Sequence, residues 1–152
     1  YPAKIRVAIP EGISFDKAKS FAISKEVWIK RSLNKLKLRT IIPLSKNPID
    51  LEYSKSYLSK RIEGLSDKHG FKYNKVTIKK QKTRWGSCSE YNNISLNLKL
   101  IRLPSNLIDY VILHELVHTL VKNHSPLFWR SLDKYVGNAR SLNKELKNYI
   151  LF

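Results

Sequence analysis

The sequence predicts an α+β domain, with helices packed on a small sheet. Three observations carry that expectation. "KVTIKKQ" and "NISLNLKL" alternate apolar and polar residues, as half-buried strands do. Longer segments on either side space their apolar residues three and four apart, as amphipathic helices do. Short turn clusters separate them, and no repeat, low-complexity tract or long linker divides residues 1–152. A single domain over the whole chain is the simplest organisation.

Each element has a local justification. "KIRVAIP", Lys4 to Pro10, alternates like a strand. From Ser14 to Leu33 a helix is predicted. Ser14 can cap it, and Ala18, Phe21, Ala22, Trp28 and Ile29 supply its apolar side. "KLKLRTIIPL" suggests a short strand closed by Pro43, and "SKNPID" a turn. A second helix is predicted from Leu51 to about His69, with Tyr57, Leu58, Ile62 and Leu65 inward and Gly70 as its stop. Two strands follow, at Lys75 to Gln81 and Asn93 to Leu100. Gly86 permits a turn or bulge between them. Ile94, Leu96, Leu98 and Leu100 would share one face. Asn106 can cap the next helix, which should run to about Val121. Ser125 and Pro126 open another, which Gly137 and Asn138 close. The last helix spans about Ala139 to Tyr149.

Composition narrows the function. The hydrophobic fraction of 42% argues against disorder. No apolar run reaches the roughly 18 residues of a membrane span. Cys88 is the single cysteine, so no internal disulfide can form. That fits a reducing, cytoplasmic setting, with nucleoid or nucleus as alternatives. The chain starts at Tyr1 and has no methionine, so upstream residues are expected to be missing. The net charge is +17 and uneven: residues 1–103 carry 23 Lys and Arg against 8 Asp and Glu, residues 104–152 only 6 against 4. Such an excess is either solvated surface or a face for nucleic acid or another polyanion.

"VILHELVHTL", residues 111 to 120, reads as a buried helix that carries three polar side chains. His114 and His118 are four apart, hence on one side of the helix. Both can approach one zinc ion, which takes imidazole nitrogen at about 2.0–2.1 Å. Glu115, beside the first ligand, is placed to serve as general base toward a metal-activated water rather than as a ligand. It would accept the proton as the water attacks a carbonyl and pass it to the leaving amine. His124, six residues past His118, completes the spacing of an H-E-x-x-H-x-x-G-x-x-H ligand set, with Val121 at the glycine position. Glu145 and Asp133 are the rivals for the third ligand. His69 is read as a helix-end or surface residue, Cys88 as a packed side chain with a ligand or redox role as the alternative, and Trp85 and Trp129 as core rather than cleft walls. Arg84 is read either as an oxyanion stabiliser or as half of a structural ion pair.

These residues resemble the YgjP-like metallopeptidase family of zincins. The resemblance runs through "KTRWGSCSEYNNISLNLKLIRLPSNLIDYVILHELVHTLVKNHSPLFW", residues 82 to 129, with weaker similarity at Val27 to Lys30. More distantly the chain is similar to SprT and Spartan-type proteases, which cut proteins crosslinked to DNA. The resemblance implies a zincin-like fold: a small sheet packed on helices, one bearing the HExxH motif. It implies His114, His118 and His124 as zinc ligands, Glu115 as the catalytic acid, and a protein or peptide substrate. In zincins an edge strand near the active helix pairs with an extended substrate; residues 83–88 or 93–99 would supply it. Three functions therefore compete: a zinc endopeptidase, a DNA-associated protease, and a non-enzymatic adaptor with a structural zinc and a basic binding face. An intact Glu115 favours the enzymes.

Overall fold

The computed structural model describes residues 8–37, 48–149 and 151. The chain divides into two compact units, Tyr1–Ile41 and Ile42–Phe152. In the first, the helix expected from 14 to 33 is two helices, α1 (Phe15–Ser24) and α2 (Glu26–Lys37). Ser14 caps α1 as expected, its Oγ accepting from the Lys17 amide at 3.4 Å. The break follows from Ser24, whose hydroxyl donates to the Phe21 carbonyl at 2.7 Å and competes with the helical ladder. Phe21 and Trp28, expected on an apolar side, are exposed. Lys35 to Lys37 are helical rather than the start of a strand. The remainder of that expected strand, and most of the one at Lys4 to Pro10, lie outside the described residues; 8–10 are not strand.

The second unit opens with α3 (Leu51–His69), whose ends are as the sequence implies. Asp50 caps it by accepting the Tyr53 amide at 2.9 Å. Gly70 ends it in the left-handed region at φ 71°, which costs glycine no Cβ clash. Leu58, Ile62 and Leu65 are buried and Tyr57 is partly so. The sheet contains β1 (Lys75–Lys79), β2 (Gly86–Cys88) and β3 (Asn93–Asn97) in the order β1-β3-β2. β3 pairs parallel with β1, Lys75 opposite Asn93, and antiparallel with β2, Ser87 opposite Ser95. The segment read as a turn or bulge thus contains a strand, and that strand is an edge. The turn from β2 to β3 closes with Asn92 at φ 58°, a conformation asparagine tolerates better than most residues.

β3 stops earlier than its apolar alternation suggests. Asn97 accepts the Lys99 amide at 3.1 Å and turns the chain into a 3-10 helix, Leu98–Arg102. Leu98 and Leu100 still reach the core. Buried Asn97 also donates to the carbonyls of Gln81 at 3.0 Å and Arg84 at 2.9 Å, and its amide donates to the Trp85 carbonyl at 2.8 Å. One side chain therefore pins the loop that carries the chain from β1 across to β2.

Helix α4 (Ser105–Val117) runs through the middle of this unit. Its N-cap is Pro104, with no side-chain cap, so Asn106 does not play the expected role. Asp109 instead forms a two-pronged ion pair with Arg61 of α3, Nε to Oδ1 at 2.6 Å. Leu107, Ile108, Val111, Ile112, Leu116 and Val117 are all buried, because α3, the sheet, α5 (Pro126–Val136) and α6 (Ala139–Leu146) enclose the helix. Ser125 caps α5, its Oγ accepting the Phe128 amide at 3.5 Å, and Gly137 ends it at φ 73°. Asp133 accepts the Ala139 amide at 2.7 Å and so starts α6. Among the described residues no helix is long and apolar enough to cross a membrane.

Replacing Asn97 by Ala leaves several loop groups without partners, so we expect a loss of about 2–4 kcal/mol in urea unfolding. Amide exchange should accelerate over Gln81 to Trp85 more than over α3. Unchanged stability would mean that the loop is held by other contacts.

Candidate metal centre

The end of α4 determines the site. The helix stops at Val117, four residues short of the expected Val121, and His118 is its C-cap. His118 keeps right-handed helical geometry, so its ring still lies one turn from that of His114. The chain then tightens: the Thr119 amide reaches the Leu116 carbonyl and the Leu120 amide the Val117 carbonyl, each at 3.0 Å. Among the described residues Asn92 is the only non-glycine with positive φ. The reversal at Val121 therefore needs no left-handed residue, which explains how it forms without glycine. Asn123 accepts the Ser125 amide at 3.3 Å, and His124 swings back toward the helix.

Three imidazoles meet there. His124 Nε2 lies 3.2 Å from His118 Nε2 and 3.0 Å from His114 Nε2. His118 Nδ1 donates to the Val121 carbonyl at 2.9 Å, so its Nε2 carries a lone pair. A cation between the three nitrogens would let each of them present a lone pair to it. Nitrogens bound to a tetrahedral ion at about 2.0–2.1 Å sit about 3.3 Å apart, close to the separations found here. The trio fits a metal ion, and among the described residues it is the one such group of His, Cys, Asp or Glu. Asp133 and Glu145 are not part of it, and Asp133 is occupied at the start of α6.

Phe128 is the support that sequence reading missed. It is fully buried, and its ring packs against all three imidazoles, with centroid distances of 4.8 Å to His114, 4.4 Å to His118 and 4.8 Å to His124. Trp129 is 6.0 Å from the His124 ring, and the Arg140 guanidinium lies 5.0 Å over Trp129. The signal was present in the segment "SPLFW": Pro126 fixes the first turn of α5, and Phe128 and Trp129 follow at once.

Burial governs the protonation of the site. It holds His114 down at about 3, with His118 and His124 adding to the effect, and it also lowers His118. The His114 Nδ1 atom is buried and makes no hydrogen bond among the described residues. Burial pushes the Glu115 carboxyl up to about 8, against the pull of the Arg84 guanidinium. Glu115 packs against Gly86 of β2. A Cβ on that residue would lie 2.7 Å from Glu115 Cγ and Oε1, inside any real contact. Gly86 is needed for this close approach rather than for a turn.

Two cavities open at the site and share Gly86, His114, Glu115 and His124. One, of about 260 Å³, is walled by Trp85, Tyr110, Val111 and Leu146. The other, of about 280 Å³, is walled by Arg84, Ser87, Cys88 and Lys122. Trp85 is thus both packed on the core and part of a cleft wall, and Cys88 is a wall residue as well. Arg84 makes no ion pair among the described residues, so the structural salt bridge is not found. A larger cavity, of about 490 Å³ around Arg61, Asp109 and Tyr135, touches none of the three histidines or Glu115. Its size does not mark the chemistry. His69 borders it as a helix-end residue, 5.1 Å from the Tyr135 ring.

Residues 47–149 match the family described as "YgjP-like, metallopeptidase domain". No curated protein matches the chain. Among solved structures, the chain is similar to the metallopeptidase zymogen of Methanocaldococcus jannaschii jannalysin. Identity is 25%, 59% of this chain and 91% of that one are covered, and the TM-score is 0.51. The metallopeptidase zymogen of Pyrococcus abyssi abylysin is 21% identical over 62% and 99% of the two chains, with a TM-score of 0.49. The expected α+β, zincin-like fold is the one found.

The buried carboxyl makes a prediction for the metal-free protein. With Glu115 raised from 4.5 to about 8, the folded state holds a proton that the unfolded state lacks between those values. Stability from this group is present below pH 4.5 and lost as pH rises to about 8. Glu115→Gln has no such loss. In chelator, its advantage over wild type in urea unfolding should open above pH 4.5 and reach a few kcal/mol by about pH 9. The depressed His114 weakens both proteins below pH 6.5 and cancels in the comparison. An advantage that shrinks with rising pH would reverse the sign.

Proposed function

The chain belongs to the YgjP-like metallopeptidase family, and on that premise we propose that it is a zinc-dependent endopeptidase whose ion is held by His114, His118 and His124. The observation that carries the reading is the convergence of three imidazole Nε2 atoms, with His118 fixed in the ligating tautomer by Val121. When bound, zinc supplies a Lewis acid that polarises a carbonyl and makes water acidic near neutral pH.

Glu115 is the proton carrier. Its carboxylate takes the proton of the attacking water and delivers it to the departing amine. Burial raises its pKa toward the working range, and a divalent cation held beside it would bring it back down. Gly86 lets the carboxyl sit against β2. β2 is an edge, so an extended peptide can add to it through backbone hydrogen bonds and lie across the cleft. The candidate strand is therefore 86–88, within the 83–88 segment, because β3 is paired on both sides.

A second reading gives the enzyme a nucleic acid to work beside. No acidic residue stands between Phe71 and Ser89, and Lys75, Lys79, Lys80, Lys82 and Arg84 are exposed there. A polyanion bound along this run would be released log-linearly with salt. A titration of duplex and single-stranded DNA at several salt concentrations decides it. No binding at low salt would remove the nucleic acid from the reading.

Glu115→Gln should keep its metal and lose peptide hydrolysis by about 100-fold or more. His124→Ala should lose zinc affinity in chelator competition, while Glu145→Ala and Asp133→Ala retain it. Zinc lost from Glu115→Gln, or retained at full affinity in His124→Ala, would overturn the assignment.

A further inference from the structure

The two cavities at the centre differ in character, and the difference assigns a substrate class. The wall opposite the aromatic one carries two cations, Arg84 and Lys122. They flank the short edge strand β2. Arg84 stands two residues before Gly86. The Lys122 ammonium is fixed at the other end, donating to the Ser89 carbonyl at 2.8 Å and to Asn92 Oδ1. Its third neighbour is Cys88 Sγ at 3.9 Å. All three acceptors are uncharged, so the lysine is held in place without being neutralised. Arg84 makes no side-chain hydrogen bond or ion pair among the described residues, and Glu115 is the one acid in this wall.

We propose that this cavity is a subsite for an acidic side chain, Asp or Glu, beside the bond to be cut. The proposal rests on the peptidase reading and adds the substrate class. A peptide added to β2 runs between the two cations. A carboxylate projecting into the cavity meets the tethered Lys122 ammonium and the Arg84 guanidinium, and a lysine there meets repulsion. The ammonium is already tethered, so little side-chain freedom is lost when the substrate arrives. The second cavity, lined by Trp85, Tyr110, Val111 and Leu146, holds no charged residue besides those of the centre and suits an apolar side chain. An apolar residue on one side of the scissile bond and an acidic one on the other is the resulting pattern.

A peptide set with Asp, Ala or Lys at each position around the cut tests this. Asp should raise kcat/KM about tenfold over Ala at one or two adjacent positions and nowhere else. Arg84→Gln and Lys122→Gln should each collapse that ratio. Lys60→Gln, in the distant cavity, should not. A ratio near one in wild type, or one unchanged in both variants, overturns the proposal. Equal effects of Asp at every position would assign the preference to the overall charge of +17 and overturn it too. Should Lys122→Gln unfold, Arg84→Gln carries the test alone. Fluorescence anisotropy with metal-free Glu115→Gln removes turnover from the question. The Asp peptide should bind about tenfold more tightly than the Ala peptide and lose that margin in Arg84→Gln. Equal binding overturns the subsite. Acidic binding without cleavage by wild type defeats the peptidase reading and leaves the subsite standing.

Discussion

A helix whose C-terminal half is packed into a core cannot carry unpaired polar groups without large cost, and α4 with its C-cap brings three there, His114, Glu115 and His118. The rest of the second unit is arranged around that constraint. Burial keeps His114 neutral and Glu115 protonated in the metal-free protein, so neither brings an isolated charge into the core. His118 finds the Val121 carbonyl. The three Nε2 atoms still converge, and a metal ion is a partner that all three can share. The same burial that makes the helix apolar thus creates a site with high demand for a metal ion.

The supporting residues act at two removes. Phe128 gives the three imidazoles a common floor, and Trp129 with Arg140 braces the one histidine that comes from outside the helix. On the opposite side Asn97 fixes the crossing loop, the loop fixes Gly86, and Gly86 lets β2 approach Glu115. A carboxyl this close to a strand edge is positioned by backbone rather than by its own hydrogen bonds. Arg61 and Asp109 clamp α3 to α4 about one helical turn before His114, away from the reacting groups.

Much of the site was legible because it is local. His114, Glu115 and His118 lie within one helical turn, and the spacing of His124 required only that the helix end between it and His118. The part that was not legible is long-range. Nothing in "RWGSC" announces that its glycine faces the glutamate of a helix almost thirty residues later. Nor does "ISLN" announce that its asparagine holds the preceding loop. Both are contacts across the sheet, and a strand's side-chain period says which face a residue occupies but not what lies opposite. The early end of α4 was hidden for a related reason. The apolar pattern continues to Val121, which still packs on the core, although Leu120 beside it is exposed and the helix has already given way to a turn.

Local pattern alone was enough for the class of fold, for the ends of α3 and α5, and to single out His114, Glu115, His118 and His124, three of which the fold brings together. Caps, glycine stops and i, i+4 spacing are properties of neighbouring residues, and backbone geometry makes them independent of the rest of the chain. Only long-range packing set β2 at an edge and β3 in the middle of the sheet, kept Asp133 and Glu145 apart from the three imidazoles, and laid Phe128 beneath them. It also decided that Arg84 and Lys122, nearly forty residues apart, flank one three-residue strand. These depend on how the loop from β1 crosses to β2 and on where α5 is laid against α4. Both are set by packing between distant segments, which no local pattern encodes.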